Sequence, residues 1–207
     1  MKKELPHFYI DESLGGQQAW YSRVTDFGMH IGGCAAITAC DCAIYLQKYF
    51  GLRGLYPFDV ERITREDYLR FGKIMEPYLY PRWSGVNKLE IYLDGFGKFL
   101  SERGATSVKM SAWHGEKNLS ASREVVRKQI DAGYLLPCLT LKHKDPSMQD
   151  YYWHWFILNG YDEHDENFSV KAVSYGVGVW LNFATLWDTG YDERGGLILL
   201  DTKTEAN

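Results

Sequence analysis

No stretch of the 207 residues approaches the roughly 20 consecutive apolar residues that a membrane-crossing helix requires. The opening MKKELPHFYIDESLGG carries two lysines. It then meets Glu4, Pro6, Asp11 and Glu12 where a secretion signal has an unbroken apolar run, so a cytoplasmic protein with no membrane partner is expected. Charge of one sign is lacking too. Lys and Arg number 23 against 27 Asp and Glu, for a formal charge of -4, and they are dispersed rather than striped, which excludes an electrostatic footprint for nucleic acid. The four cysteines, Cys34, Cys40, Cys42 and Cys138, do not fall into two separated C-x-x-C pairs, so a zinc ribbon is excluded. In a reducing compartment they are not a disulfide framework either. His7, His114 and His164 have no metal-ligand spacing, and GLRGLYPFD lacks the Gly-Lys-Ser/Thr ending of a phosphate-binding loop. No cofactor is therefore expected. No repeat, low-complexity tract or Pro/Gly/Ser-rich linker divides the chain, and residues 1–207 are read as one domain.

What is present is apolar and aromatic: 45% hydrophobic and 15% aromatic residues, in a chain long enough to bury about 70% of its unfolded surface. The first two thirds carry helical patterns. Thr64 is a plausible N-cap with Asp67 as its capping-box acid, for a helix running to Pro77. Leu89, Tyr92, Leu93, Phe96, Phe99 and Leu100 recur at helical spacing, with Gly104 as the stop. Val125, Val126 and Ile130 line a further helix, capped by Ser120 or Ser122 and ended by Gly133. Beyond it, residues 134–141, 151–160, 168–175, 179–183 and 197–200 read as strands, with a short helix over 184–187 and a hairpin loop over 162–166. Helices followed by a meandering antiparallel sheet make an α+β fold.

Two segments carry chemistry. In GMHIGGCAAITACDCAIYLQKYF, glycines precede a run too apolar for a surface helix, so the helix starting at Cys34 should be buried. A thiol at a helix N-terminus feels the positive end of the dipole, which favours the thiolate. Taken alone, Cys34 reads first as a small residue chosen for packing, as Cys40, Cys42 and Cys138 are read to be. The second segment, DYYWHWFILNGYDEHDENFSVKAVSYG, places His154 inside an aromatic strand, where a histidine is more often a satisfied core residue but where a base is also shielded and positioned. A hairpin loop centred on His164 sets Ser174 directly across from His154, on the same face. Tyr151, Tyr152, Trp153, Trp155 and Phe156 read as core aromatics rather than a ligand groove. Asp41, two turns after Cys34, either joins a buried polar network behind the site or is solvated or locally bonded.

The Gly-Cys-Ala helix start, IDAGYLLPCLTL, HWFILNGYDE with VKAVSYG, and WLNFATLWDTG, taken in this order, resemble the papain-like cysteine peptidases, and most closely the bacteriocin-processing type. The resemblance spans residues 28–190 in pieces. It implies a papain-like fold with a central buried helix packed on an antiparallel sheet, and leaves about 50–118 as a helical insertion. It also implies that Cys34 is the nucleophile, His154 the base, and a residue of the next strand the orienter of the imidazole. That third position, Asn or Asp in the family, falls near Val173-Ser174-Tyr175, and Ser174 takes it without a charge. Gly28, Met29 and His30 stand where the family's oxyanion glutamine is found. Gln18 or its neighbour Gln17 then reaches in from GGQQAW, or His30 does so, or no side chain does. The implied activity is thiol hydrolysis of a peptide or isopeptide bond in a peptide or protein substrate. Acyl transfer to an amine and a catalytically silent binding scaffold are the alternatives.

Overall fold

The computed structural model describes residues 1–82 and 85–202. In chain order the elements are β1 (Lys2–Glu4), β2 (Tyr9–Ile10), β3 (Ser13–Leu14), α1 (Phe27–Gly32), α2 (Cys34–Phe50), α3 (Arg65–Met75), α4 (Leu89–Glu102), β4 (Val108–His114), α5 (Leu119–Asp131), β5 (Leu136–Thr140), β6 (His154–His164), β7 (Asn167–Ser174), β8 (Val177–Asn182), α6 (Phe183–Trp187) and β9 (Gly195–Thr202). Short 3-10 turns cover Gln18–Trp20 and Pro146–Tyr151. The fold mixes helices with one seven-stranded antiparallel sheet in the order β4-β9-β5-β6-β7-β8, with β1 added beside β6, and a two-stranded hairpin of β2 and β3. Among the described residues no helix is long and apolar enough to cross a membrane.

Helix α2 is buried from Cys34 through Leu46, which is why its sequence is apolar all round rather than striped. It packs on β5 and β6, and α5 packs on the same two strands. β5 is buried along its whole length and β6 from His154 to Tyr161, so they read as unbroken apolar runs instead of the alternation of a half-exposed strand. The outer strands β4 and β8 are largely open to solvent.

The helix signals fall largely as expected. Thr64 caps α3 by accepting from the Asp67 N–H at 3.1 Å, and its hydroxyl donates to the Asp67 carboxylate at 2.8 Å; the helix stops at Met75, short of Pro77. Gly104 and Gly133 end α4 and α5 at φ 77° and 89°, where a side chain is strained. The α5 cap is different from the one expected: Asn118, not Ser120 or Ser122, accepts the Ala121 N–H at 2.8 Å, while the Ser122 hydroxyl donates back to the Asn118 carbonyl. β4, with its polar solvent-facing residues, carries no strong strand pattern; pairing with β9 along seven residues makes it a strand. Residues 151–153 precede β6 rather than belonging to it.

The hairpin corrects the expected pairing. β6 and β7 run on to His164 and Asn167, so the turn is the two residues Asp165 and Glu166 rather than a loop centred on His164. That turn displaces the pairing by three residues from the expected register, and a bulge at Asn159 takes it back by one. The N-terminal segment lies against that bulge: the Leu5 N–H donates to the Asn159 carbonyl at 2.7 Å, and at Gly160 a Cβ would lie 2.8 Å from the Lys3 carbonyl oxygen. Ile157 therefore faces Val173, and Ser174 lies diagonally from His154 instead of directly across. The displacement is two residues, an even number, so both side chains stay on one face.

Candidate active site

The start of α2 depends on a glycine. α1 and α2 are separated by Gly33, whose N–H donates to the Met29 carbonyl at 3.1 Å, and a Cβ there would lie 2.3 Å from that oxygen. The tight break restarts the helix at Cys34 and leaves its first N–H groups free of intrahelical carbonyls. The N–H groups of Cys34 and Ala35, together with that of Trp155 on β6, face the Cys34 sulfur and favour its thiolate. Burial outweighs them: the thiol is pushed above its ordinary range, the reverse of what the helix dipole alone predicts.

His154 stands at the start of β6. Its Nε2 lies 2.7 Å from the Ser174 Oγ at the end of β7. The Tyr175 ring covers one face of the imidazole, with centroids 4.7 Å apart and planes 4° from parallel. Tyr175 and Gly176, at φ 50° and 79°, form the two-residue turn between Ser174 and Val177. That is the backbone of a tight primed hairpin turn, in which asparagine is far commoner than tyrosine at the first position. The Leu14 N–H holds this turn by donating to the Gly176 carbonyl at 2.9 Å. Burial, with no carboxylate beside the ring to offset it, pulls the His154 imidazole down to about 4. At neutral pH the resting pair is thus a neutral thiol and a neutral imidazole.

Cys34, His154, Ser174 and Gln18 line one cavity of about 20 Å³, room for a single water. The sequence-predicted residues are brought together, but Gln18 is already engaged. Its amide nitrogen donates to the carbonyls of His30 and Ile31, each at 3.2 Å, and its Oε1 is buried without a partner. Gln17 lines the same cavity, with its amide nitrogen on the Ser13 hydroxyl at 3.1 Å. His30 is turned away: Nδ1 meets the Tyr21 carbonyl at 2.7 Å, and Nε2 accepts from Arg23 at 3.0 Å.

Behind the cavity Asp41 joins a buried network. Its carboxylate accepts the Tyr68 hydroxyl at 2.6 Å and the Gly16 N–H at 3.2 Å, and His7 Nε2 lies 3.7 Å away. Asp41 thereby anchors the segment that leads into Gln17 and Gln18. A Cβ on Gly16 would sit 1.9 Å from the Tyr68 ring, so only glycine admits this approach.

On its other side Cys34 opens onto a cleft of about 430 Å³, within the range of small-ligand and peptide pockets. Arg82, Gly85, Val86 and Asn87, between α3 and α4, belong to one wall; Leu139, Leu141, Trp153 and Trp155 belong to the sheet side. The Trp155 indole N–H donates to the Val86 carbonyl at 2.5 Å and ties the two walls together. Trp153, read from sequence as core, is 48% exposed on this cleft at φ 51°. No sequence pattern marks an aromatic residue for the left-handed region, so neither Trp153 nor the stacking role of Tyr175 was legible. Tyr151, Trp155 and Phe156 are core, as expected. Neither a protein-family model nor a curated protein matches the chain.

The burial of the pair has a direct consequence for thiol labelling. Cys34 is expected to alkylate faster than Cys40, Cys42 and Cys138, because it alone among the four lines the cleft. Its raised pKa means that the thiolate fraction, and with it the rate, climbs about tenfold per pH unit through neutrality. A rate of iodoacetamide labelling that is already on a plateau below pH 7 would instead demonstrate a resting thiolate–imidazolium pair.

Proposed function

We propose that the chain is a cysteine peptidase of papain-like arrangement. The observation that carries this reading is the convergence of Cys34 from a helix N-terminus, His154 from β6 and Ser174 from β7 on one cavity, with His154 Nε2 held at 2.7 Å by Ser174. With Nε2–H donating to Ser174, the other ring nitrogen, Nδ1, is the base. It takes the Cys34 proton as the sulfur attacks the carbonyl carbon, and returns it to the leaving amine as the C–N bond breaks. Water then attacks the thioester, losing its proton to His154; the acid leaves and the thiol is regenerated. Because the pair is neutral at rest, His154 acts as a general base during attack. The free N–H groups at the start of α2 are the oxyanion donors. Gln18 adds a donor only by exchanging one of its bonds to His30 and Ile31. No step calls for a cofactor, and the substrate is a peptide or protein laid in the 430 Å³ cleft.

The test is turnover of a peptide panel with mass-spectrometric trapping of an acyl group on Cys34. Cleavage by the parent, with none by Cys34→Ala, supports the reading. Absence of both cleavage and adduct across the panel favours the binding scaffold, for which the uncharged orienter and the neutral pair speak. Ser174 supplies a neutral hydrogen bond, so Ser174→Ala is expected to lose about 0.5–1.5 kcal/mol of transition-state stabilisation, roughly a factor of ten in kcat. An unchanged kcat would remove Ser174 from the mechanism. A loss as large as that of His154→Ala would show that it does more than orient.

A further inference from the structure

The cleft beside Cys34 is apolar on most of its surface, with Ile31, Val86, Leu139, Leu141, Trp153 and Trp155 among its walls. Among the described lining residues Arg82 is the one charged side chain. Packing fixes its place. Gly28 and Gly32 stand one turn apart on α1, and a Cβ on Gly32 would lie 3.2 Å from the Cβ of Pro81. Their bare face lets Pro81 lie against α1, which brings Arg82 to the cleft. The Gly85 N–H closes the turn on the Arg82 carbonyl at 2.9 Å. No carboxylate among the described residues pairs with Arg82, which leaves its guanidinium free for a ligand, as those of several other arginines are.

Arg82 is itself exposed, so a peptide lying in the cleft can reach its guanidinium, whose planar fork matches a carboxylate. We propose that the cleft recognises a carboxylate carried on an otherwise apolar peptide, with Arg82 as the recognising group. The inference rests on the peptidase reading of the cleft. The carboxylate is either an acidic side chain or a free chain end, since both present the same oxygens to the arginine. A cationic residue at the same place is repelled.

Binding to the Cys34→Ala protein separates this inference from the peptidase reading, because it needs no turnover. The probes are N-acetylated, C-amidated hexapeptides of leucine, alanine and glycine carrying one glutamate, glutamine or lysine at each position in turn. A glutamine peptide with a free C-terminal carboxylate completes the set. Calorimetry is expected to show the best glutamate peptide binding about tenfold tighter than its glutamine counterpart. Adding Arg82→Ala should erase that difference, and Arg82→Glu should turn the preference towards lysine. A free-carboxylate peptide that matches the glutamate peptide identifies the chain end as the recognised group. Equal binding of all peptides, no binding of any, or a glutamate preference that survives Arg82→Ala overturns the inference. A parent enzyme that cleaves neutral and acidic peptides alike does so too, while leaving the peptidase reading in place. Charge-selective binding without cleavage by the parent does the reverse.

Discussion

Replacing Cys34 by alanine is expected to abolish peptide hydrolysis, and His154→Ala to lower kcat by about 10²–10⁴, the usual contribution of a positioned general base. Neither change should unfold the protein. Cys34 lies at the junction of a cavity and a cleft, so removing its sulfur opens space that solvent already reaches. The pH profile carries the more specific expectation. His154 must be neutral to accept the thiol proton, and burial holds its pKa near 4, below the ordinary value of 6.5. Activity in kcat/KM therefore persists as pH falls from 7 towards 5 and is lost on the acid side near pH 4. On the alkaline side it falls only as the buried thiol ionises. An acid limb at 6.5 would show that His154 is solvated in the working enzyme. His154→Ala at parental kcat would end its role as base.

The second large effect is on stability, at Asp41. Removing its carboxylate leaves the Tyr68 hydroxyl and the Gly16 N–H buried without their acceptor, and His7 without the charge beside it. Loss of one member of such a buried charged network destabilises by about 3–5 kcal/mol. For a chain of this length each kcal/mol moves Tm by about 2–4 °C, so Asp41→Ala should melt on the order of 10 °C below the parent. Asp41→Asn keeps the shape and one acceptor oxygen and should fall between the two. Tyr68→Phe, which leaves the carboxylate its remaining partners, is expected to lose about 1.5–3 kcal/mol, the range for a hydrogen bond to a charged group. Thermal unfolding followed by circular dichroism measures all three. A shift of under 2 °C for Asp41→Ala would mean that the network is solvated and does not fix the Gly16–Gln18 segment.

The sequence by itself determined the elements whose signals are local. An apolar run with glycines before it makes α2 a buried helix beginning at Cys34. Thr64 with Asp67, Gly104 and Gly133 mark helix ends, because caps and left-handed stops act within one turn of chain. The face shared by His154 and Ser174 was legible as well, since side-chain alternation survives any even error in register. Only the tertiary structure decided the actual pairing, because no local pattern announces the bulge at Asn159, where β1 from the far end of the chain meets β6. It alone decided the ionisation of the site. The helix N-terminus favours a thiolate, but burial beneath β6 and the Tyr175 ring opposes charge on both partners, and burial depends on the whole fold. It also decided the cleft: Arg82 and Val86 lie some fifty residues beyond Cys34 in the chain, and packing of Pro81 on the bare glycine face of α1 brings them beside it.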